Sequence, residues 1–216
     1  MVYCTLIYGK DWHEKFARNI VEEAQKHNIY ILTSHPEYFN GCEFVEKYSR
    51  TDFCYYEKLP WVFGLSKKLK QRVTYVDADW VFGLTNTFEG EDNIAYTNQL
   101  TKIYVKGLTP SDQEHIRDVF VKAVYPFDDN NYLSEKIISL PYVADKIDKM
   151  VEDINYLQPF FESGFNAYTN LSKKFVRYKG VGTGYAEGAA LTAVLDRYNI
   201  KYDSKRKLIR RKDRIL

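Results

Sequence analysis

The chain is poor in the residues that build disulfide frameworks and multi-ligand metal centres. Its 216 residues include three cysteines and four histidines. The cysteines Cys4, Cys42 and Cys54 form no C-x-x-C pair, and no two histidines have metal-ligand spacing. An odd number of unpaired cysteines argues against a disulfide framework or a zinc site and is typical of a reducing compartment.

Several other signatures are also missing. No apolar run approaches the roughly 18 residues of a membrane span, and Met1–Leu6 lack the pattern of a signal peptide. We therefore expect a cytoplasmic protein without a membrane span, of unknown oligomeric state. The chain has no Walker-type phosphate loop and no G-x-S-x-G elbow. The glycines of 180–184 are spaced G-x-G-x-G, a poor match to a dinucleotide fingerprint, and favour a tight turn.

The composition is that of an ordinary folded protein, with an uneven distribution of charge. Hydrophobic residues make up 45% and charged residues 28% of the chain. Residues 201–216 carry eight basic and two acidic side chains, a net charge of +6, which leaves −4 of the total +2 on the remaining residues. A basic tail on an acidic body indicates either a phosphate or polyanion partner or a solvated tail.

Apolar spacing predicts alternating strands and helices in the first half of the chain. The segments rich in β-branched and aromatic residues are predicted strands: 2–8, 29–33, 73–76 and 93–97, with another at 175–178. Asp11 is expected to cap a helix that turns Trp12, Phe16 and Ile20 inward. The other predicted helices are 55–69, one opened by a capping box at 111–114, one through 143–154, and one after the glycines at 180–184.

Asp77-Ala78-Asp79 follows the strand at Val73–Val76 without an intervening residue. Carboxylates at the end of a buried strand lie at the sheet edge where ligands of open α/β sheets bind. Two hard oxygen ligands there are typical of Mg²⁺ or Mn²⁺ bound with a diphosphate. A solvated turn is the alternative for so short a motif.

Glu187 is the second acidic candidate, in the segment Tyr185-Ala186-Glu187-Gly188 ahead of the last predicted helix. The neighbouring glycines allow a ligand to approach closely, which favours a functional role. The alternative is a Glu in the first helical turn that stabilises the macrodipole.

These segments together resemble nucleotide-sugar glycosyltransferases of the GT-A fold, and distantly the glycogenin-like family 8 enzymes. Lys58-Leu59-Pro60-Trp61 followed by Asp77-Ala78-Asp79 is similar to their K-L-x-W … D-A-D pattern. Phe165-Asn166-Ala167 resembles F-N-x-G, and the Glu187 segment resembles their late acidic motif. The resemblance implies an α/β, GT-A-like single domain over residues 1–204, with a mostly parallel sheet flanked by helices. A helical insertion between about 100 and 160 and a basic tail at 205–216 complete this expectation.

The resemblance also implies roles for individual residues. Asp79 would bind Mn²⁺ or Mg²⁺, with Asp77 on the metal or the donor ribose, while Tyr8 and Gly9 would contact the nucleobase. Lys58 would lie near the donor phosphates, and Glu187 would act as the acceptor base or stabilise the developing cation. No histidine follows His115, so the third metal ligand of many such enzymes must be replaced. The implied reaction is transfer of a hexosyl or pentosyl group from a UDP-sugar, with the stereochemical outcome open.

The acceptor is open as well. A hydroxymethylated base in DNA, as in the bacteriophage enzymes that modify such bases, is slightly favoured over a saccharide or a protein. DNA or phosphate contacts would come from basic side chains of the tail: Lys205, Arg206, Lys207, Arg210 and Arg211. The competing functions are a non-catalytic nucleic-acid-binding module, which leaves the Asp pair unexplained, and a nucleotidyltransferase, which lacks its glycine-rich loop.

Overall fold

The computed structural model describes residues 2–48, 55–79, 94–97, 100–102, 131–133, 137–171 and 181–203. Its strands are β1 Val2–Ile7, β2 Ile29–Thr33, β3 Phe44–Lys47, β4 Val73–Val76, β5 Ile94–Thr97, β6 Leu100–Lys102, β7 Asn131–Leu133, β8 Ile137–Leu140 and β9 Lys201–Asp203. Its helices are α1 Lys10–Ala24, α2 Tyr55–Leu69, α3 Ile147–Leu171 and α4 Val181–Arg197, with a short 3-10 turn at Pro36–Phe39.

Seven strands form one sheet in the order β3-β2-β1-β4-β8-β5-β9. All neighbouring strands are parallel except at β8, which runs antiparallel to both β4 and β5. The predicted α/β class, with a mostly parallel sheet flanked by helices, is therefore confirmed. A separate antiparallel pair is formed by β6 and β7.

The sheet is covered on its two faces by different helices. Side chains of β1 and β4 that point to one face, such as Cys4 and Tyr75, share a core with α2, α3 and α4. Alternate residues, such as Tyr3 and Val76, face a second core with α1 and the 3-10 turn. This division follows from the two-residue period of a strand, and it explains why the central strands are apolar on both sides.

Several predicted elements are confirmed and others are corrected. The helix at 55–69 and the strands at 29–33 and 73–76 have the predicted bounds, and α3 contains most of the predicted amphipathic helix. Three strands that the sequence pattern did not predict take part in the large sheet, namely β3, β8 and β9. The capping box at 111–114 and the strand at 175–178 lie outside the described residues. No helix of the described segments is long and apolar enough to cross a membrane.

Candidate active site

A cavity of about 350 Å³ opens at the carboxyl ends of the adjacent parallel strands β1 and β4. From β1 the chain continues to β2 and β3 on one side, whereas β4 lies on the other side. Neighbouring strands with connections running in opposite directions leave a crevice, which is where open α/β sheets bind ligands. The residues around it are Leu6, Ile7, Tyr8, Gly9, Trp12, Lys58, Tyr75, Asp77, Ala78 and Asp79.

Tyr8 and Gly9 form the wall of this cavity that follows β1. The Tyr8 ring meets the Tyr48 ring edge-on at 6.1 Å between centroids. Trp61, from the K-L-P-W segment of α2, packs with both in the same apolar cluster. Gly9 has a φ of +80°, a backbone conformation that favours glycine, and it is the residue from which α1 begins. The expected cap by Asp11 is therefore incorrect, since Asp11 lies in the first turn.

Trp12 is a cavity residue that the sequence pattern assigned to the core. Its side chain is 47% exposed and lines the cavity, and its ring packs on Phe16 at 5.1 Å between centroids. The buried positions of α1 are instead His13, Phe16, Ala17 and Ile20. The buried stripe of α1 thus begins at His13, and the Trp12 ring lies at its margin, beside the Tyr8–Gly9 wall of the cavity.

Asp77 and Asp79 both line the cavity from the end of β4. The Asp77 side chain is 26% exposed, and its Oδ1 accepts a 2.6 Å hydrogen bond from the Tyr75 hydroxyl. Residues two apart in a strand point to the same face, so Tyr75 is placed to make this contact. Burial, followed by the charge of Asp77, raises the pKa of Tyr75 well above its ordinary value, so the hydroxyl stays protonated as a donor.

Lys58 connects the carboxylates of β4 and α4. Its Nζ lies 3.0 Å from Glu187 Oε2 and 3.7 Å from Asp77 Oδ1, and only 4% of the side chain is exposed. The ammonium also lies 5.3 Å from the centre of the Tyr75 ring, within the range of a cation–π contact. A single buried cation therefore links two acidic groups that the resemblance treated as separate parts of the site.

Glu187 reaches the site through Lys58. It is fully buried and lies inside α4, which begins at Val181, so it is neither in a first turn nor after a glycine turn. The expected turn at 180–184 is wrong for the same reason, because Gly182 and Gly184 belong to the helix. Glu187 is not one of the described residues that line the cavity. The Phe165-Asn166-Ala167 segment lies within α3.

Asp77 and Asp79 supply carboxylate oxygens to one cavity, and carboxylate oxygens are the ligand type that small divalent cations prefer. Mg²⁺ is commonly held by one or two carboxylates together with water and substrate phosphates. Within the described parts of the chain, no cluster of three or more His, Cys, Asp and Glu side chains is arranged to hold a metal ion. Among the described residues, Asp77 and Asp79 are thus the carboxylates of this cavity, and a diphosphate oxygen, water or another side chain would complete the coordination shell. The basic side chains of 205–216 lie outside the described residues.

Comparison with known proteins finds solved structures that resemble the chain at low sequence identity and low TM-score. No protein-family model and no curated protein matches the chain. A solved structure of a glycosyltransferase involved in glycosylation of the major capsid of PBCV-1 shares 8% identity at a TM-score of 0.43, over 94% of this chain and 79% of that one. The galactosyltransferase LgtC, in complex with donor and acceptor sugar analogues, shares 12% identity at a TM-score of 0.42, over 94% of this chain and 73% of that one. Mouse xyloside xylosyltransferase 1 shares 9% identity at a TM-score of 0.41, over 94% of this chain and 84% of that one. Similarities of this strength do not assign the chain to a family.

Proposed function

We propose that this protein is a metal-dependent glycosyltransferase that transfers a sugar from a UDP-sugar to an acceptor hydroxyl. The observation that carries the proposal is the convergence of Tyr8, Gly9, Lys58, Asp77 and Asp79 on one cavity. These residues come from three separate segments of the chain, and all five are positions to which the sequence resemblance gives a role in binding the donor or the metal. The cavity combines an aromatic end with a charged end, as a nucleoside diphosphate requires.

The nucleobase end is formed by Tyr8, Gly9 and Trp12. Bases stack on exposed aromatic rings, and the half-exposed Trp12 ring offers such a surface. Backbone groups of the Gly9 corner can approach the base closely because glycine carries no side chain. We assign this end to the uracil, with the diphosphate extending toward β4.

The diphosphate end needs a cation beyond Lys58. Lys58 is shared by Glu187 and Asp77, and Asp79 adds a further carboxylate to the same cavity. Negative phosphates would be repelled from such a site unless a divalent ion offsets the charge. Asp77 and Asp79 would hold Mn²⁺ or Mg²⁺, which when bound neutralises the diphosphate as it leaves. Lys58 would supply a fixed positive charge beside it.

The proposed reaction breaks the bond between the anomeric carbon and the diphosphate oxygen and forms a bond to the acceptor oxygen. The hydroxyl proton of the acceptor passes to a base, and the electron pair of the broken bond remains on the nucleoside diphosphate. Glu187 is paired with Lys58, whose side chain lines the cavity. Its further proposed role, as the base or as the group that stabilises the developing cation, requires its carboxylate to become accessible when the donor binds.

A thermal-shift titration with UDP-sugars, with and without Mn²⁺, tests the proposal. A ligand that binds only the native state at about 100 times its dissociation constant stabilises by about 2.7 kcal/mol. We expect metal-dependent stabilisation that disappears in Asp79→Ala and persists in Asp145→Ala, an exposed carboxylate ahead of α3. A wild-type protein whose melting temperature no nucleotide shifts at saturation would overturn the proposal.

For the acceptor, we propose a hydroxymethylated base in DNA, with a saccharide or protein as the alternative. The basic tail supplies the argument, since phosphate contacts by Lys and Arg give salt-dependent binding. Deleting 205–216 should weaken salt-sensitive DNA binding and leave donor hydrolysis unchanged. The opposite result, loss of donor hydrolysis with DNA binding intact, would place the tail at the donor. DNA binding without any nucleotide binding would instead support a nucleic-acid-binding module.

A further inference from the structure

A chain of hydrogen bonds through the buried His13 ring lies beneath the Gly9 corner, and His13 is not among the residues that line the cavity. His13 is 1% exposed at the start of α1. Its Nδ1 lies 2.7 Å from the Gly9 carbonyl oxygen, and its Nε2 lies 2.6 Å from Thr33 Oγ1 at the end of β2. The imidazole therefore connects the wall of the cavity to the neighbouring strand.

The partners determine which nitrogen of His13 carries the proton. A carbonyl oxygen can only accept, so Nδ1 donates to Gly9 and the neutral ring accepts at Nε2. Thr33 Oγ1 accepts the backbone N–H of His35 at 3.0 Å, which leaves its own hydrogen for Nε2. Burial is the main reason that the pKa of His13 is lowered, in agreement with a neutral ring. Every donor in the chain from His35 to Gly9 thus has an acceptor.

The Gly9 peptide is held by both of its polar groups. Its carbonyl also accepts from the backbone N–H groups of Trp12 and His13 at 3.1 and 3.2 Å, and its own N–H donates to Ser34 Oγ at 3.3 Å. Glycine has the greatest conformational freedom of any residue, and a corner at positive φ needs external contacts to stay in one geometry. Tyr8 and Trp12, the residues on either side of this corner, both line the cavity.

We infer that His13, fixed by Thr33, is a positioning residue for the nucleotide: it touches no ligand but holds the Gly9 corner in the geometry that binds the base. This inference rests on the proposed function, because it takes the cavity to be a nucleotide site. The contacts of His13 with Gly9 and Thr33 orient the corner as outer hydrogen-bond partners orient the ligands of a metal site.

Thr33→Val removes the hydroxyl at nearly constant shape and leaves Nε2 without a donor. The variant also removes the acceptor of the His35 backbone N–H. The loss of these contacts should raise the dissociation constant for UDP about three- to tenfold, measured by calorimetry in the presence of Mn²⁺. Thr33→Ser retains the hydroxyl and should restore the wild-type value. In the ligand-free protein, the Trp12 and His13 amides should exchange faster in Thr33→Val, and the nitrogen shifts of His13 should change.

Control variants separate positioning from general stability. Ile20→Val, in the same helix and fully buried, should lower the melting temperature without changing UDP affinity. His27→Asn, at a half-buried histidine three residues after the end of α1, should also leave affinity unchanged. If wild-type protein binds UDP and Thr33→Val binds it equally well, the inference is wrong although the proposed function stands. If wild-type protein binds no nucleotide, the proposed function itself has failed.

Discussion

The buried pair Lys58–Glu187 should be strongly coupled in stability. At 3.0 Å, an effective dielectric of about 20 gives an attraction of about 5–6 kcal/mol. The side chains are 4% and 0% exposed, so removing one partner leaves the other charge buried without the counter-ion at 3.0 Å. Lys58→Met and Glu187→Met should each lower the free energy of unfolding by about 3–5 kcal/mol. The double variant Lys58→Met/Glu187→Met should recover most of that loss. The remaining carboxylate that loses a cation is Asp77, which is 26% exposed and accepts a hydrogen bond from Tyr75.

Urea unfolding followed by circular dichroism measures these free energies, with the slope checked for constancy between variants. A matched control is Lys67→Met on the same helix. Lys67 forms an ion pair with Asp148, and both side chains are well exposed. It should shift the unfolding midpoint little, since exposed ion pairs contribute little to stability. Losses that simply add in the double variant would refute the coupling and the view that Glu187 acts through Lys58.

Two further predictions concern α1. Trp12→Ala should weaken UDP binding by about 1–3 kcal/mol, the usual value of a base stacked on an aromatic ring, while Trp12→Phe retains part of it. Calorimetry with UMP and pyrophosphate checks this, and an equal loss for both ligands would show that Trp12 does not contact the base. Burial, aided by the nearby His35, lowers the pKa of His13 from 6.5, whereas its bond to Gly9 and the charge of Glu37 act in the opposite direction. As the pH falls, the His13 imidazole therefore protonates in the unfolded chain before it does so in the folded chain. The stability that the neutral buried ring contributes is present above about pH 6.5 and is lost as the pH falls below it. Denaturation midpoints between about pH 5 and 7.5 should therefore fall less steeply in His13→Asn than in wild type, and equal slopes would contradict a neutral buried ring.

The position of Asp77 and Asp79 directly after a buried strand was predictable, because it depends only on neighbouring residues. Four apolar residues, Val73–Val76, end at Asp77, and the structure shows the strand with those bounds. Residues two apart share a face of a strand, so the alternation that buries Tyr75 also sends Asp77 to the α2 side. The short-range pattern was thus enough to place the aspartates at a sheet edge.

The face of α1 shows where the periodic pattern becomes ambiguous. Trp12, Phe16 and Ile20 repeat at helical spacing, but so do His13, Ala17 and Ile20, one residue around the helix. An apolar stripe gives the direction of the core to within about one residue position, and it does not reveal that an aromatic residue at its margin borders a cavity. The partners Gly9 and Thr33, which make burial of His13 favourable, are contributed by the fold.

The sequence by itself determined the α/β class, the strands β1, β2 and β4, and the position of Asp77 and Asp79 directly after β4, because these depend on neighbouring residues. Only the tertiary structure decided that β8 enters the sheet between β4 and β5. It also decided that Lys58, assigned to the donor, pairs with Glu187 of a helix far along the chain. Such pairing depends on which helices pack on the same face of the sheet, and no local period encodes it.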